Sequence, residues 1–140
     1  MKTAVRAGLT ALALALAGTT LLAAPADAAT IKQVTSTCHD GDFGGTFTLR
    51  YETSGGYHRP IGAITTSGPY IGDSGTRLMR ISYREGVTTR TIYTRLSAAT
   101  NGEQAEAFPT GLTIPMTARG TASTTFDSGT ATCTATVPIS

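Results

Sequence analysis

The sequence predicts an all-β domain, a two-layer antiparallel β-sandwich of about seven or eight short strands. Apolar and polar residues alternate with a period of two in several short runs, as in strands that bury one face. Threonine, a β-branched residue that favours strands over helices, occurs 24 times between residues 29 and 140. Glycine-containing turn signals separate the runs, and no run keeps a helical period. A small closed barrel is the alternative architecture.

Residues 1–28 are predicted to be a cleaved export signal. Lys2 and Arg6 supply positive charge, an Ala- and Leu-rich apolar run spans Ala7 to Ala24, and Ala26-Asp27-Ala28 has the small-x-small pattern of a cleavage site. Cleavage leaves 140 − 28 = 112 residues, enough for a single domain with its own core. The mature protein is therefore expected to be secreted to the extracellular space, with no membrane contact after the signal is removed.

The mature chain has only two cysteines, Cys38 and Cys133, and they are expected to form a disulfide bond. The bond would close a loop of 133 − 38 = 95 residues, for which the chain-entropy model gives at most about 4.5 kcal/mol of stabilisation. It would link the predicted first and last strands, either within one sheet or across the core. The sequence has no Trp, so "Ig-like" describes the predicted architecture only.

Apolar stripes and turn signals define the predicted strands. The first strand is expected over about Ile31 to Cys38. The residues expected to face inward in four later runs are Phe47, Leu49 and Tyr51; Met79, Ile81 and Tyr83; Leu112, Ile114, Met116 and Ala118; and Ala131, Cys133, Ala135 and Val137. Glu85-Gly86 predicts a tight hairpin of unclear register, because Arg90 and Arg95 would fall on opposite faces. The segment from Ala98 to Ala107 leaves room for one helical turn around the predicted Asn101-Gly102 turn.

Two glycine-flanked segments are the predicted binding loops. The first places Tyr57, His58 and Arg59 after Gly55-Gly56, and the second presents Tyr70 after Gly68-Pro69. Tyr and Arg often anchor protein interfaces. If both loops lie at one end of the sandwich, they would form a shared binding patch. The alternative is that Tyr57 and Tyr70 close the ends of the core.

The charge balance of the mature chain argues against a nucleic-acid partner. Without the signal the chain has 11 − 2 = 9 basic and 9 − 1 = 8 acidic residues, whereas nucleic-acid binders normally carry a concentrated basic surface. We therefore expect a non-catalytic binding domain whose partner is an extracellular protein or glycan: an inhibitor, a ligand carrier or a subunit of a complex. A structural protein of the cell wall or matrix is the alternative. No cofactor is expected.

Two short motifs are candidates for other chemistry. Gly72-Asp73-Ser74-Gly75 resembles the nucleophile motif of trypsin-like serine proteases over four residues, and the likeness ends at Thr76. A small extracellular hydrolase that uses Ser74 with His39 or His58 is therefore a further alternative. The segment from His39 to Asp42 has the acidic residues of a metal loop but lacks the Glu that an EF-hand requires, so no metal site is predicted. The Ala-rich leader and composition resemble those of small exported proteins of GC-rich Gram-positive bacteria.

Overall fold

The computed structural model describes residues 28–72 and 75–140, and this part of the chain contains strands and no helix. The strands are β1 (Thr30–Asp40), β2 (Phe43–Ser54), β3 (Tyr57–Gly68), β4 (Gly75–Glu85), β5 (Thr88–Ala99), β6 (Gly102–Ala107), β7 (Ile114–Pro115), β8 (Arg119–Asp127) and β9 (Thr132–Ile139). None of the described residues forms a helix that could cross a membrane. The predicted export signal lies outside the described residues, except for its last residue, Ala28.

The strands form two antiparallel sheets that pack face to face. Sheet A has the order β1-β2-β3-β6, with the two-residue β7 paired to the start of β3. Sheet B has the order β5-β4-β8-β9. The predicted β-sandwich is therefore confirmed, and the alternative of a closed barrel is wrong.

The core lies between the sheets, where period-two alternation places the apolar residues. Phe47, Leu49 and Tyr51 of β2 are buried as predicted, and so are Met79 and Ile81 of β4. Tyr83 is half-buried, because β4 there approaches the end of the sandwich. Ala135 and Val137 of β9 are also buried, as the fourth stripe predicts. Alternation along the sequence therefore identifies which face of these three strands packs inward.

The predicted disulfide bond closes one edge of the sandwich. Cys38 of β1 and Cys133 of β9 are bonded, with their Cα atoms 5.6 Å apart. Because β1 is the outermost strand of sheet A and β9 that of sheet B, the bond crosses between the two sheets. It therefore links the first and last strands across the core, which is one of the two arrangements expected from the sequence.

A buried polar cluster connects the sheets near the other edge. Glu106 of β6 lies within salt-bridge distance of Arg77, with 3.1 Å between Oε2 and Nη2, and both side chains are almost fully buried. Arg77 also donates hydrogen bonds to Ser97 and Thr65, while the Tyr93 hydroxyl donates to Glu106. Burial, and secondarily the bond to Glu106, raise the pKa of Tyr93. The cluster joins β3 and β6 of sheet A to β4 and β5 of sheet B.

Three local expectations differ from the structure. The β4–β5 hairpin contains an irregularity at Ile92, which shifts the pairing by one residue and places Arg90 and Arg95 on the same face. The segment from Ala98 to Ala107 contains the end of β5 and all of β6, so the helical turn is wrong. The predicted third stripe is mostly irregular, since only Ile114–Pro115 forms a strand and Met116 is exposed.

Candidate functional site

The first predicted loop is a strand. The chain turns at Gly55 and Gly56, whose φ angles of 58° and 80° suit glycine, and β3 begins at Tyr57. Tyr57, His58 and Arg59 therefore occupy the first three positions of that strand. Alternation then points Tyr57 and Arg59 outward and His58 inward.

His58 is part of the core at this end of the sandwich. Only 3% of the residue is exposed. Its Nδ1 lies 2.7 Å from the hydroxyl oxygen of Thr53, and its ring packs edge-on against Tyr51 at 5.5 Å between centroids. Burial lowers the pKa of His58, and the charge of Lys32 lowers it further. These contacts give His58 a structural role and keep it away from a ligand on the outer face.

Tyr70 also packs into the core, but at the opposite end of the molecule. Tyr70 is 6% exposed, and its hydroxyl oxygen lies 2.6 Å from the hydroxyl oxygen of Ser67. Its backbone N–H donates to Asn101 Oδ1 at 2.8 Å, and its ring packs edge-on against Phe43. Tyr70 therefore closes the core, as the alternative interpretation of this segment predicts.

The two predicted segments do not form one patch. They flank the same strand, β3, which runs for 12 residues from Tyr57 to Gly68. At about 3.3 Å per residue, the two ends of this strand are separated by roughly 35 Å. A ligand would have to meet the segments separately, so the expected shared binding patch is wrong.

The described residues supply no geometry that supports the hydrolase or the metal-site hypothesis. Asp73 and Ser74 lie outside the described residues. His39 packs over Gly44 and lines an open polar groove of about 410 Å³ together with Asp42. Across residues 28–72 and 75–140, no group of three or more His, Cys, Asp or Glu side chains is placed to hold a metal ion.

The exposed members of the first segment belong to a wider apolar surface on sheet A. We use "Arg59 surface" for Tyr57, Arg59, Ile61 and Ile64, which share the outer side of β3. Tyr57 is 42% exposed, Ile61 37% and Ile64 36%. Ile61 is the extra residue of a β-bulge, because Arg50 pairs with Gly62 while the next residue of β2 pairs with Pro60.

Arg59 lies at the centre of this surface in a loosely held position. Its Nη1 donates to Ser54 Oγ at 2.6 Å and lies 3.6 Å from Glu52 Oε1. The side chains of Arg59 and Glu52 are 40% and 31% exposed. Exposed ion pairs of this kind contribute only about 0–1 kcal/mol. Arg59 can therefore exchange Glu52 for an acceptor on a ligand at small cost.

A shallow pocket opens beside Arg59. It has a volume of about 290 Å³, and the segment between β6 and β7 forms its second wall, with Phe108, Pro109 and Leu112 facing Pro60 and Ile61. A second depression of about 500 Å³ continues from Ile61 over the outer faces of β3 and β6. The pocket combines apolar walls with a charged rim, which is the usual composition of a binding site.

Sequence reasoning identified Tyr57 and Arg59 but missed the apolar residues around them. Ile61 and Ile64 break the period-two pattern of β3, since alternation alone would place two residues three apart on opposite faces. This break is the sequence signal of the bulge. The second wall of the pocket carries no comparable signal, because its position depends on how the β6–β7 segment packs.

Comparison with family models, with curated proteins and with solved structures found no match for this chain.

Proposed function

We propose that this chain is a small secreted, non-catalytic domain that binds an extracellular protein through the Arg59 surface. The observation that carries the proposal is the concentration of exposed Tyr and Ile side chains around a loosely paired Arg on one sheet face. Tyr and Arg are enriched among the residues that dominate binding energy at protein interfaces.

The rigidity of the surface supports this function. Its residues lie on β3, which pairs with β2 everywhere except at the bulge residue Ile61, and which pairs on its other side with β7 at Tyr57 and with β6 at Ile64. A partner that binds here does not have to order a flexible loop, and it avoids that entropic cost. Pre-formed sheet faces are therefore efficient binding surfaces even when their area is modest.

The pocket beside Arg59 is small for a carried small molecule, and the depression that continues from it is a more open surface. At about 290 Å³, the pocket beside Arg59 lies at the lower limit of typical ligand pockets, which span about 300–1,000 Å³. One apolar side chain of a partner fits such a space. Arg59 at the rim would then bind a carboxylate or carbonyl oxygen next to that side chain.

The test is capture from the culture medium of the native host, using the oxidised domain immobilised through its N-terminus. We expect the wild-type domain to retain one protein in a stoichiometric amount, which mass spectrometry identifies and which is then purified. Titration should show binding weakened about tenfold or more by Tyr57→Ala and by Arg59→Ala, since truncating an interface anchor costs upwards of about 1–2 kcal/mol.

Arg90→Ala is the matched control for Arg59→Ala. It removes the same charge from an exposed position on the other sheet, where the described residues provide no ion-pair partner. Binding that survives Arg90→Ala and is lost with Arg59→Ala supports the proposal. Equal affinity for all variants would exclude this surface. A wild-type domain that retains no protein but sediments with cell-wall material would favour the structural alternative.

A further inference from the structure

Charge is distributed unevenly between the two sheets. The strands of sheet B carry six Arg and two acidic residues, a balance of 6 − 2 = +4. The strands of sheet A carry three basic and four acidic residues, a balance of 3 − 4 = −1. Three of the six arginines, Arg80, Arg84 and Arg119, lie on the outer face of sheet B, whereas Arg77 is buried against Glu106.

Two of these arginines face each other directly on the outer side of sheet B. Arg84 of β4 and Arg119 of β8 are cross-strand partners, and both are exposed. Together with Gly86 and Thr117 they line a cleft of about 370 Å³. No carboxylate among residues 28–72 and 75–140 lies within salt-bridge distance of either. Like charges directly opposite each other are unfavourable in a sheet, and an anion between them would remove the repulsion.

The same face continues from this pair as a row of hydroxyl groups. Ser82 and Thr121 are neighbours on adjacent strands, Thr91 extends their row onto β5, and Arg80 and Ser123 follow in the next row. The hydroxyl groups of Ser82, Thr91 and Thr121 make no side-chain hydrogen bond within the described part of the chain. They are free to bind the hydroxyl groups of a sugar.

We propose that the outer face of sheet B binds a carboxylate-bearing polysaccharide, with Arg84 and Arg119 holding one carboxylate and the hydroxyl rows holding neighbouring sugars. The planar guanidinium group matches a carboxylate with two parallel hydrogen bonds. Phosphate sites commonly use free backbone N–H groups, whereas the backbone of this face is paired between strands. The face has no aromatic side chain on which nucleic-acid bases could stack.

The experiment is isothermal titration of the oxidised mature domain with polygalacturonate at low ionic strength. Arg84→Ala and Arg119→Ala should each weaken binding about tenfold, the order expected for the loss of a charge-assisted contact. Arg50→Ala, which removes the same charge from the outer face of sheet A, should leave the affinity within about twofold. Circular dichroism and urea unfolding of each variant verify that it is folded.

Further probes decide among ligand classes. Dextran, a neutral polysaccharide, should not bind, and free galacturonate at the same carboxylate concentration should bind much more weakly than the polymer. Replacing both arginines by Lys keeps the charge but removes the paired hydrogen bonds, so this variant should also bind weakly. The proposal is overturned if the Lys variant binds like wild type, if duplex DNA binds more tightly than polygalacturonate, or if Arg50→Ala has the same effect as Arg84→Ala.

Discussion

Replacing Glu106 by Gln is expected to destabilise the domain by about 3–5 kcal/mol, because it removes one partner of a buried ion pair and leaves the other charged. The side chains of Arg77 and Glu106 are only 7% and 4% exposed. After the substitution, Arg77 keeps its hydrogen bonds to Ser97 and Thr65, but both of these acceptors are neutral. Arg95 cannot account for a loss of this size, because its side chain is 58% exposed.

The assay is urea unfolding at neutral pH, followed by far-UV circular dichroism and by tyrosine fluorescence, since the chain has no Trp. Glu103→Gln is the matched control. It makes the same chemical change at an exposed position of the same strand and should change the free energy of unfolding by no more than about 0.5 kcal/mol.

A double substitution separates the cost of an orphaned charge from the value of the ion pair. Arg77→Met with Glu106→Leu removes both charges and should be less destabilising than Glu106→Gln alone, because buried ion pairs are often replaceable by apolar residues of similar volume. A loss below about 1 kcal/mol for Glu106→Gln at unchanged m-value would refute the reasoning. So would a double variant whose loss equals the sum of the losses of Arg77→Met and Glu106→Leu measured singly.

Three further predictions concern the edge, the core and the buried histidine. Replacing Cys38 and Cys133 by Ala should cost up to about 4.5 kcal/mol and should increase hydrogen exchange first in β1 and β9; uniform exchange across all strands would contradict it. Gly45→Ala should lower the free energy of unfolding by about 1–3 kcal/mol, because a Cβ there would lie 2.2 Å from the ring of Phe126. An unchanged midpoint of urea unfolding would contradict it. His58 has a lowered pKa in the folded state, so the unfolded chain binds the proton more readily and stability should fall as pH drops below the ordinary value of 6.5. Unfolding measured between pH 8 and pH 5 should show this decline in wild type and a smaller one in His58→Gln.

The sequence predicts which residues are buried where this depends only on alternation along one strand. It does not predict features that depend on how a strand pairs with its neighbour. Phe47, Leu49 and Tyr51 are buried because a flat, regular strand places every second residue on one face. The bulge that exposes Ile61 adds one residue of β3 between the partners of Arg50 and Tyr51, and the sequence shows it only as two apolar residues three positions apart.

Only part of the candidate site could be predicted from the sequence, for a related reason. Tyr57 and Arg59 have side chains typical of interfaces, and this property is local. Whether Tyr70 lies on the surface or in the core depends on Ser67, Asn101 and Phe43, which come together only in the folded domain. A Gly-Pro pair before an aromatic residue is compatible with both outcomes, so the sequence could not distinguish an exposed loop from a closed end.

Three hairpin turns are poor candidates for binding sites. Gly41-Asp42, Gly55-Gly56 and Gly86-Val87 are two-residue connections, too short to present a set of binding side chains. Side chains also bridge the two sheets at both edges, because the disulfide bond ties β1 to β9 and the Glu106 cluster ties β6 to β5. The two proposed sites lie on outer faces of different chemistry, and the segment between β6 and β7 completes the first of them.

These faces point away from each other, so a ligand on one does not exclude a ligand on the other. If both proposals hold, the domain connects an extracellular protein to an acidic polysaccharide. The Arg59→Ala variant should then lose only the protein, and the Arg84→Ala variant should lose only the polysaccharide. Arg59 and Arg84 lie on the outer faces of different sheets. Loss of both ligands in a variant that remains folded would therefore contradict two separate binding sites.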